Sequence, residues 1–235
     1  MHFSDILTNW YSKYKRELPW RSTTSPYHVW LSEIILQQTR VAQGLGYYNK
    51  FVESYPTIED LANESEDNIL KLWQGLGYYS RARNLHATAK IVASELNGVF
   101  PVTYDEIIKL KGVGAYTAAA ISSFCYGEKK AVVDGNVYRV LSRYFGISTP
   151  TDSTIGKKEF QELAQECLSG ESPGEYNQAI MEFGALQCTP NPNCETCPLS
   201  VSCIAYANSM VKAFPVKAKK IKVRDRYFNF FVISD

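Results

Sequence analysis

Four of the six cysteines lie within 16 residues near the end of the chain. They are Cys188, Cys194, Cys197 and Cys203, with the spacing C-x5-C-x2-C-x5-C. Four thiolates on one short loop can bind either a tetrahedral zinc ion or a 4Fe–4S cluster. Zinc sites more often use two close pairs separated by a longer arm, so the single compact loop favours the iron–sulfur cluster. The spacing predicts a metal centre and leaves both metals open.

An acidic residue in an apolar segment could do acid–base chemistry. Glu33 lies in VWLSEIILQQ, and its helical neighbours three and four positions away include Val29, Trp30 and Leu36. Burial among apolar side chains raises the pKa of a carboxyl group and suits it to act as a general acid. A surface or cap-bound glutamate on an amphipathic helix is the simpler explanation when the residue is taken alone.

A second carboxyl stands at a predicted helix start. Asp134 precedes Gly135 and Asn136, so its side chain can accept hydrogen bonds from the first amides of the following helix. Those bonds and the helix dipole should hold the carboxylate ionised. A plain N-cap also explains Asp134. As a pair, one protonated carboxyl and one carboxylate would divide the work of breaking a glycosidic bond.

The segment 110–137 contains a glycine-rich turn. Gly112 and Gly114 separate a predicted helix at 104–110 from another at 115–126. Two helices joined by such a turn form a helix-hairpin-helix, and the free amides at the second helix can bind phosphate. An ordinary helical hairpin with a C-capping glycine accounts for the same residues.

The elements that would position these residues are almost all helical, which predicts an all-α fold. Sustained strand alternation occurs only in RYFNFFVISD at 226–235, after a stretch at 212–226 that is rich in Lys and Arg. Helical periodicity predicts helices near 4–16, 27–38, 40–53, 66–73, 79–96, 104–110, 115–126, 135–145, 154–168 and 174–187.

Composition limits the possible partners and compartments. Apolar residues make up 45% and charged residues 21%, as in a globular protein, and the net charge of +1 gives no overall signal for nucleic acid. The N-terminus does not resemble a signal peptide, and no segment is apolar enough to span a bilayer. We therefore expect a cytoplasmic chain that is not secreted and has no disulfides.

Several motifs, in order along the chain, resemble one known family. LKGVGAYTAAA, VDGNVYRV and the four-cysteine loop are similar to the helix-hairpin-helix DNA glycosylases of the endonuclease III superfamily. Within that group, LPWR, SEIILQQTRV, LWQGLGYYSRARNL and NQAIMEFGALQC resemble MutY-type adenine DNA glycosylases, and the similarity covers about residues 3–235. The resemblance implies a base excision repair enzyme with one 4Fe–4S cluster. It would remove adenine mispaired with 8-oxoguanine or guanine in double-stranded DNA, as a monomer.

The resemblance also implies a division of the chain into two helical modules with the substrate between them. Residues 1–210 would form the catalytic region, with a hairpin-bearing module at about 22–132 and a cluster module made of 1–21 and 133–210. Residues 211–226 would be a basic linker. Residues 227–235 would begin a C-terminal domain that recognises 8-oxoguanine, and we expect the rest of that domain to be missing.

Three residues match catalytic positions of the family. Glu33 matches the residue that protonates adenine and activates water, Asp134 the carboxylate that stabilises the oxocarbenium-like sugar, and Tyr116 the tyrosine beside that sugar. Family members that also cut the strand carry a lysine at the tyrosine position, and its amine forms a Schiff base. Because Tyr116 has no amine, we predict a monofunctional glycosylase with little or no lyase activity.

Other residues match contacts to DNA and to the extruded base. A base must leave the duplex before it can be cut, and Gln38 and Tyr78 match the residues that wedge into the stack. Trp20, Arg21 and Gln178 match the adenine pocket. Without the family match, Trp20 would be a core residue and Tyr78 an aromatic residue in a turn. The remaining predicted DNA contacts lie on or near the hairpin and are Lys111, Gly112, Gly114 and Asn136.

The four-cysteine loop departs from the family pattern in one respect. MutY-type loops usually carry six residues, often basic, between the first two cysteines, whereas here TPNPN has five and no charge. We still expect a cluster, because four thiolates remain on a short loop, and the sequence leaves open whether this loop contacts phosphate.

Two rival functions remain open. The first is an endonuclease III-like glycosylase and lyase acting on damaged pyrimidines. The second is a non-enzymatic iron–sulfur DNA-binding module. Glu33 and Asp134 argue against the second.

Overall fold

The computed structural model describes residues 2–168, 170, 172–218 and 227. Within these residues the chain forms α-helices and three short 3-10 helices, and no β-strand. The predicted all-α fold is therefore confirmed for this part of the chain. Apart from Tyr227, the predicted strand at 226–235 lies outside the described residues.

Twelve α-helices are present among the described residues, connected by short loops. They are α1 (Phe3–Tyr14), α2 (Pro26–Leu36), α3 (Val41–Ser54), α4 (Ile58–Asn63), α5 (Glu66–Leu72), α6 (Ser80–Glu95), α7 (Tyr104–Ile107), α8 (Ala115–Tyr126), α9 (Gly135–Phe145), α10 (Thr154–Cys167), α11 (Pro173–Leu186) and α12 (Ile204–Ala207). None of them is long and apolar enough to cross a membrane.

The first hydrophobic core is built around α2. This helix begins with Pro26 at its first position, where proline costs no hydrogen bond, and is apolar on nearly all sides. It packs against α3, α6 and α8, and its Trp30 and Leu31 are fully buried. The core residues of this group lie between Leu18 and Ile121.

The second hydrophobic core combines the N-terminal helix with the later part of the chain. Helix α11 packs against both α1 and α9, and Leu7 from α1 is fully buried there. Trp10 and Tyr11 from α1 also belong to this core, and its remaining buried residues lie between 131 and 199. The proposed module boundaries near 21 and 132 stay a prediction; Leu18 and Trp20 pack in the first core.

Helix α11 joins the two cores because small residues let it approach its neighbours closely. A Cβ atom on Gly174 would lie 2.7 Å from the Ser123 carbonyl oxygen of α8. A Cβ atom on Gly184 would lie 2.6 Å from Cβ of Asn136 in α9. Both separations are shorter than van der Waals contact, so these glycines fix the distance between α11 and the two helices that carry Tyr116 and Asn136.

The segment predicted as a basic linker packs against α9 and Thr151 where the structure describes it. Phe214 is buried, and the guanidinium of Arg143 donates to the carbonyl oxygens of Val211 and Phe214 at 3.0 and 3.3 Å. The Thr151 amide donates to the Val216 carbonyl oxygen at 3.0 Å. Residues 211–218 therefore follow the surface of the folded chain rather than leaving it.

Candidate active site

A cleft of about 1100 Å³ is lined by side chains from both hydrophobic cores. Helices α2 and α8 and the segment around Trp20 form one wall, and α9 and α11 form the other. Eight of the twelve residues predicted for catalysis or DNA binding lie in its lining: Trp20, Arg21, Glu33, Gln38, Tyr116, Asp134, Asn136 and Gln178.

Glu33 is a buried carboxyl group on the α2 wall. Its residue surface is only 7% exposed. Burial raises the pKa of Glu33 to about 7, helped by the negative charge of Asp134 and opposed by a hydrogen bond with Tyr116 and the charge of Arg21. Near neutral pH this group can therefore hold a proton and also give it up, which a general acid and base must do.

Tyr116 stands beside Glu33 in the cleft. It lies in the first turn of α8, and its phenol forms a hydrogen bond with the Glu33 carboxyl group. Burial and the nearby carboxyl groups raise the pKa of Tyr116 well above its ordinary value, so the phenol keeps its proton. Tyr116 can thus orient the Glu33 carboxyl group without supplying a charge or a nucleophilic amine.

Asp134 faces the same cleft from the start of α9. Its Oδ1 accepts a hydrogen bond from the Val137 amide at 2.8 Å, and its Oδ2 accepts one from Nδ2 of Asn136 at 2.8 Å. The predicted N-cap is present. Burial nevertheless raises the pKa of Asp134, and the hydrogen bonds from Val137 and Asn136 only partly oppose it. The sequence predicted that capping and the helix dipole would hold this carboxylate ionised, and burial, which the sequence does not reveal, acts against that.

A third carboxyl group, Glu182 on α11, was missed in the sequence. It is 1% exposed, lines the cleft, and accepts hydrogen bonds from Nη2 of Arg16 at 2.6 Å and from Nη2 of Arg21 at 2.7 Å. Burial alone would raise the pKa of Glu182, but the hydrogen bonds from the two arginines lower it to about 2. The available signal was the same as for Glu33, an acid in an apolar helix, here within NQAIMEFGAL.

The other predicted pocket residues lie near this ion pair. Oε1 of Gln178 accepts a hydrogen bond from the Tyr11 phenol at 2.6 Å, and the Arg21 guanidinium lies 5.7 Å from the centre of the Tyr11 ring. The Trp20 ring is buried against Tyr48, with centroids 5.0 Å apart in an edge-to-face arrangement. Trp20 therefore belongs to the core and to the cleft wall at once.

The two predicted wedge residues have the same unusual backbone conformation. Gln38 lies at the cleft with φ 56°, and Tyr78 lies outside the cleft lining with φ 46° and 66% of its surface exposed. A residue with a side chain rarely adopts positive φ, so the surrounding structure must hold both backbones in place.

The hairpin glycines lie outside the cleft as well. Gly112 has φ 77°, and a Cβ atom there would also lie 2.7 Å from Cβ of Asn84, so glycine is required at this position. Gly114 is the N-cap of α8. Lys111 and Gly112 border a small cavity that adjoins α2 and α6. The structure thus separates the hairpin residues from Glu33, Tyr116 and Asp134.

The four predicted metal ligands line one small cavity behind α9. Cys188, Cys194, Cys197 and Cys203 all border it, and burial raises the pKa of the Cys188 thiol. Within the described residues, no group of three or more His, Cys, Asp or Glu side chains is gathered as a single metal ion would require. The cavity is a common space for four thiols.

Hydrogen bonds connect Asp134 to the four-cysteine loop. The Asn136 side chain, which donates to Asp134, accepts a hydrogen bond from Nη2 of Arg139 at 2.7 Å. Nε of Arg139 donates to the Cys188 carbonyl oxygen at 2.7 Å, and its Nη2 also donates to the Gly184 carbonyl oxygen at 2.6 Å. The start of α9 is therefore fixed to both α11 and the first cysteine.

Comparison with known families identifies this architecture. Residues 31–166 match the model of the HhH-GPD superfamily base excision DNA repair protein, which is more than half of the chain. The chain belongs to the HhH-GPD superfamily. The matched HhH-GPD segment contains Glu33, Tyr116 and Asp134, whereas Glu182 and the four cysteines follow it in the chain.

The HhH-GPD chain is also similar to individual proteins. It is 42% identical over 226 residues to an adenine DNA glycosylase of Buchnera aphidicola subsp. Baizongia pistaciae, covering 94% of this chain and 62% of that protein. It is 43% identical over 213 residues to the adenine DNA glycosylase of Homo sapiens, covering 86% of this chain and 39% of that protein. A solved thermostable thymine-DNA glycosylase superposes with a TM-score of 0.81 at 33% identity, over 88% of this chain and 95% of that one. The chain spans less than two thirds of both adenine DNA glycosylases.

Proposed function

We propose that the chain is the catalytic region of a base excision repair enzyme, an adenine DNA glycosylase. Its substrate would be double-stranded DNA with adenine opposite 8-oxoguanine or guanine, and its reaction hydrolysis of the N-glycosidic bond. The observation that carries the proposal is the buried Glu33, with a pKa raised by burial to about 7, hydrogen-bonded to Tyr116 in a cleft that also holds Asp134. Relatives with about 40% identity that are adenine DNA glycosylases support it.

The proposed reaction begins with protonation of the base. Protonated Glu33 donates to a ring nitrogen of the extruded adenine, which makes the base a neutral leaving group as the bond between the sugar and the base breaks. The positive charge that develops on the sugar lowers the pKa of the facing Asp134 carboxyl group and favours its carboxylate form. Water then adds to the sugar and gives its proton to the Glu33 carboxylate, which restores the starting state.

Recognition of adenine would use the α11 wall, which faces Glu33, together with Trp20 and Arg21. Oε1 of Gln178 can accept a hydrogen bond from an exocyclic amine, and Arg21 lines the cleft with further N–H donors. The ion pairs with Arg16 and Arg21 hold Glu182 in one position. Trp20 supplies a flat apolar surface in the facing wall.

The direct test is a glycosylase assay on A:8-oxoguanine and A:G duplexes under single-turnover conditions. We expect abasic product from both, visible as a strand break only after alkaline treatment. A C:G duplex and a duplex with a damaged pyrimidine serve as controls. Product from the damaged pyrimidine and none from A:8-oxoguanine would favour the endonuclease III-like alternative, and no product from any duplex would favour a non-enzymatic DNA-binding module.

We propose in addition that the enzyme is monofunctional. Tyr116, which has no amine, stands beside Glu33, and Lys111 lies outside the cleft at the hairpin. A lyase needs an amine that can form a Schiff base with the sugar. Borohydride added during the reaction should therefore trap little or no covalent protein–DNA adduct. Robust trapping would contradict this proposal while leaving the glycosylase proposal intact.

We propose that the DNA backbone is held by the hairpin and that the gap is filled by two wedge residues. The amides after Gly112 and Gly114 and the ammonium group of Lys111 are suited to phosphate, and Asn136 lies where the cleft opens at α9. Gln38 and Tyr78 would enter the base stack. On family grounds we further propose a cytoplasmic enzyme that acts on DNA as a monomer.

We propose that the four-cysteine cavity holds one 4Fe–4S cluster. Four thiols border a common space that is otherwise lined mainly by apolar side chains, and four cysteine thiolates are the usual ligands of such a cluster. Nη1 of Arg143 lies 3.5 Å from Sγ of Cys188 and would offset negative charge on the thiolates. A purified protein that is brown and contains four iron atoms per chain, rather than colourless with one zinc, is the expected result.

A further inference from the structure

Arg81 lies in the first turn of α6 and caps the C-terminal end of α2. Its Nη1 donates to the carbonyl oxygens of Ile34, Ile35 and Gln37 at 2.9, 3.1 and 2.7 Å. The last carbonyl groups of a helix have no partner within the helix, so a cation there both satisfies them and favours the helix dipole. This contact fixes the backbone immediately before Gln38.

The second terminal nitrogen of Arg81 contacts a different loop. Its Nη2 donates to the carbonyl oxygens of Leu76 and Gly77 at 3.2 and 3.4 Å. The guanidinium carbon lies 5.1 Å from the centre of the Trp73 ring and 5.8 Å from that of Tyr78. This contact fixes the backbone immediately before Tyr78.

Arg81 therefore contacts corresponding places in the loop that carries Gln38 and in the loop that carries Tyr78. We call these two segments the wedge loops. Arg81 holds the carbonyl group of Gln37, which precedes Gln38, and that of Gly77, which precedes Tyr78. Gln38 and Tyr78 both have positive φ, a conformation that persists only when surrounding structure enforces it. One planar guanidinium joins two loops that are 40 residues apart in the chain.

Arg81 has different partners from Arg83, the other arginine of α6. Within the described residues no carboxylate pairs with Arg81, and its charge is met by carbonyl oxygens and aromatic rings. Arg83 instead forms an exposed ion pair with Glu66, with 3.3 Å between Nε and Oε1. A half-buried arginine whose hydrogen bonds all go to backbone carbonyl groups is placed to shape the backbone.

We infer that Arg81 is a positioning residue that holds the two wedge loops at a fixed separation, so that Gln38 and Tyr78 enter the duplex together. The inference rests on the proposed function, because the wedge role of these two residues belongs to it. Lysine cannot replace arginine here, since one ammonium group cannot reach carbonyl groups on both sides in the way that a fork of N–H donors does.

The test compares Arg81→Lys with the matched control Arg83→Lys. Extrusion of adenine is followed by stopped-flow fluorescence of 2-aminopurine placed beside the adenine in an A:8-oxoguanine duplex, before excision occurs. We expect extrusion to be about tenfold slower in Arg81→Lys, as for loss of hydrogen bonds from a charged group, and unchanged in Arg83→Lys. Equal extrusion rates in Arg81→Lys and the unchanged protein would overturn the inference.

A double-mutant cycle separates positioning from general destabilisation. If Arg81 acts through the wedge residues, Arg81→Lys should add less than about twofold to the slow extrusion of a Gln38→Ala/Tyr78→Ala variant. A merely structural residue would slow that variant by the same factor as the unchanged protein, and this result would overturn the inference. Arg81→Gln, which keeps a single amide donor, provides a second variant for the same cycle.

Hydrogen exchange on the free protein gives a readout that does not depend on activity. Amides at 37–39 and 76–79 should exchange faster in Arg81→Lys than in Arg83→Lys, with the rest of α6 unchanged. Unchanged exchange in both loops would contradict the inference even if the glycosylase proposal holds. If the unchanged protein excises no adenine, the proposed function fails instead, and the exchange result still decides whether Arg81 holds the loops.

Discussion

Glu33 and Glu182 stand on opposite walls of one cleft, and both are buried, yet their carboxyl groups have opposite acidities. The pKa of Glu33 is raised to about 7 by burial, whereas the pKa of Glu182 is lowered to about 2 by hydrogen bonds from Arg16 and Arg21. Burial acts to raise the pKa of both groups, so burial does not explain why the two pKa values move in opposite directions. The hydrogen-bonding partners of each carboxyl group decide the direction of its pKa shift.

Arg21 connects the two walls and shows how the difference arises. Its Nη2 donates to Oε2 of Glu182 at 2.7 Å, so its charge is largely compensated there. Its effect on the pKa of Glu33 is the smallest of the four contributions, after burial, Tyr116 and Asp134. Glu33 can therefore keep its proton in a cleft that also contains a cation. In the proposed mechanism one carboxyl group transfers a proton and the other keeps a fixed negative charge.

Replacing the acid should have the largest effect on activity. In Glu33→Gln the proton donor is lost while the shape and burial are kept, so we expect excision of adenine to fall about 10³-fold. Binding to an A:8-oxoguanine duplex, measured by fluorescence anisotropy, should change little. Excision at a normal rate in this variant would show that Glu33 is not the acid. The proposed difference in role between Glu33 and Glu182 would then be wrong.

Replacing the fixed charge should mainly affect stability. Glu182→Gln leaves the guanidinium groups of Arg16 and Arg21 without their anionic partner, which should cost about 3 kcal/mol of unfolding free energy. Urea unfolding measures the loss. The matched control is Glu162→Gln, since the ion pair of Glu162 with Lys158 is highly exposed and should be worth less than about 0.5 kcal/mol. Equal effects in the two variants would contradict the role given to burial.

The two glutamates should also give stability opposite dependences on pH. The folded protein binds a proton at Glu33 more tightly than the unfolded chain, so its stability should fall by about 3 kcal/mol as pH rises from about 4.5 through about 7. At Glu182 the unfolded chain binds the proton more tightly, so a similar contribution is present above about 4.5 and is lost as pH falls towards 2. Urea unfolding from pH 3 to 9 should show the first slope vanish in Glu33→Gln and the second in Glu182→Gln. A slope that survives its own substitution must come from another group.

Removing one hydrogen bond should have the smallest effect. The Tyr116 phenol lowers the pKa of Glu33, so Tyr116→Phe should raise that pKa further and move the alkaline fall of the excision rate to higher pH. At the optimum, excision should slow only several-fold, in line with the loss of about 1 kcal/mol. The rate at each pH is measured under single-turnover conditions. A shift of the alkaline fall to lower pH would contradict the hydrogen bond between Tyr116 and Glu33.

Local sequence signals predicted most of the helical fold. The predicted helices near 40–53, 115–126, 135–145 and 174–187 agree within a residue or two with α3, α8, α9 and α11. The prediction missed α4, Ile58–Asn63, because six residues contain too few turns to show a period. The hairpin helix predicted at 104–110 ends as an α-helix at Ile107. The predicted helix boundaries were wrong where the helix is short.

In the site, single residues were predictable and their environments were not. The apolar neighbours of Glu33 within α2 indicated its burial, and the residues after Asp134 indicated an N-cap. The raised pKa of Asp134 was not predicted, because residues far along the chain bury it. Glu182 carried the same local signal as Glu33, but its low pKa depends on partners that are distant in the chain. Its partners Arg16 and Arg21 are 166 and 161 residues away in the chain.

The sequence by itself determined the helices, the family and the residue types that can perform the chemistry, because periodicity, capping and motif spacing are local. Only the tertiary structure decided how those residues behave. It brought Glu33, Tyr116 and Asp134 to one cleft, gave Glu182 rather than Glu33 the arginine partners, and placed Arg81 between the two wedge loops. The charge of a buried group depends on the distance to its partners in space, and that distance is fixed only when the helices pack.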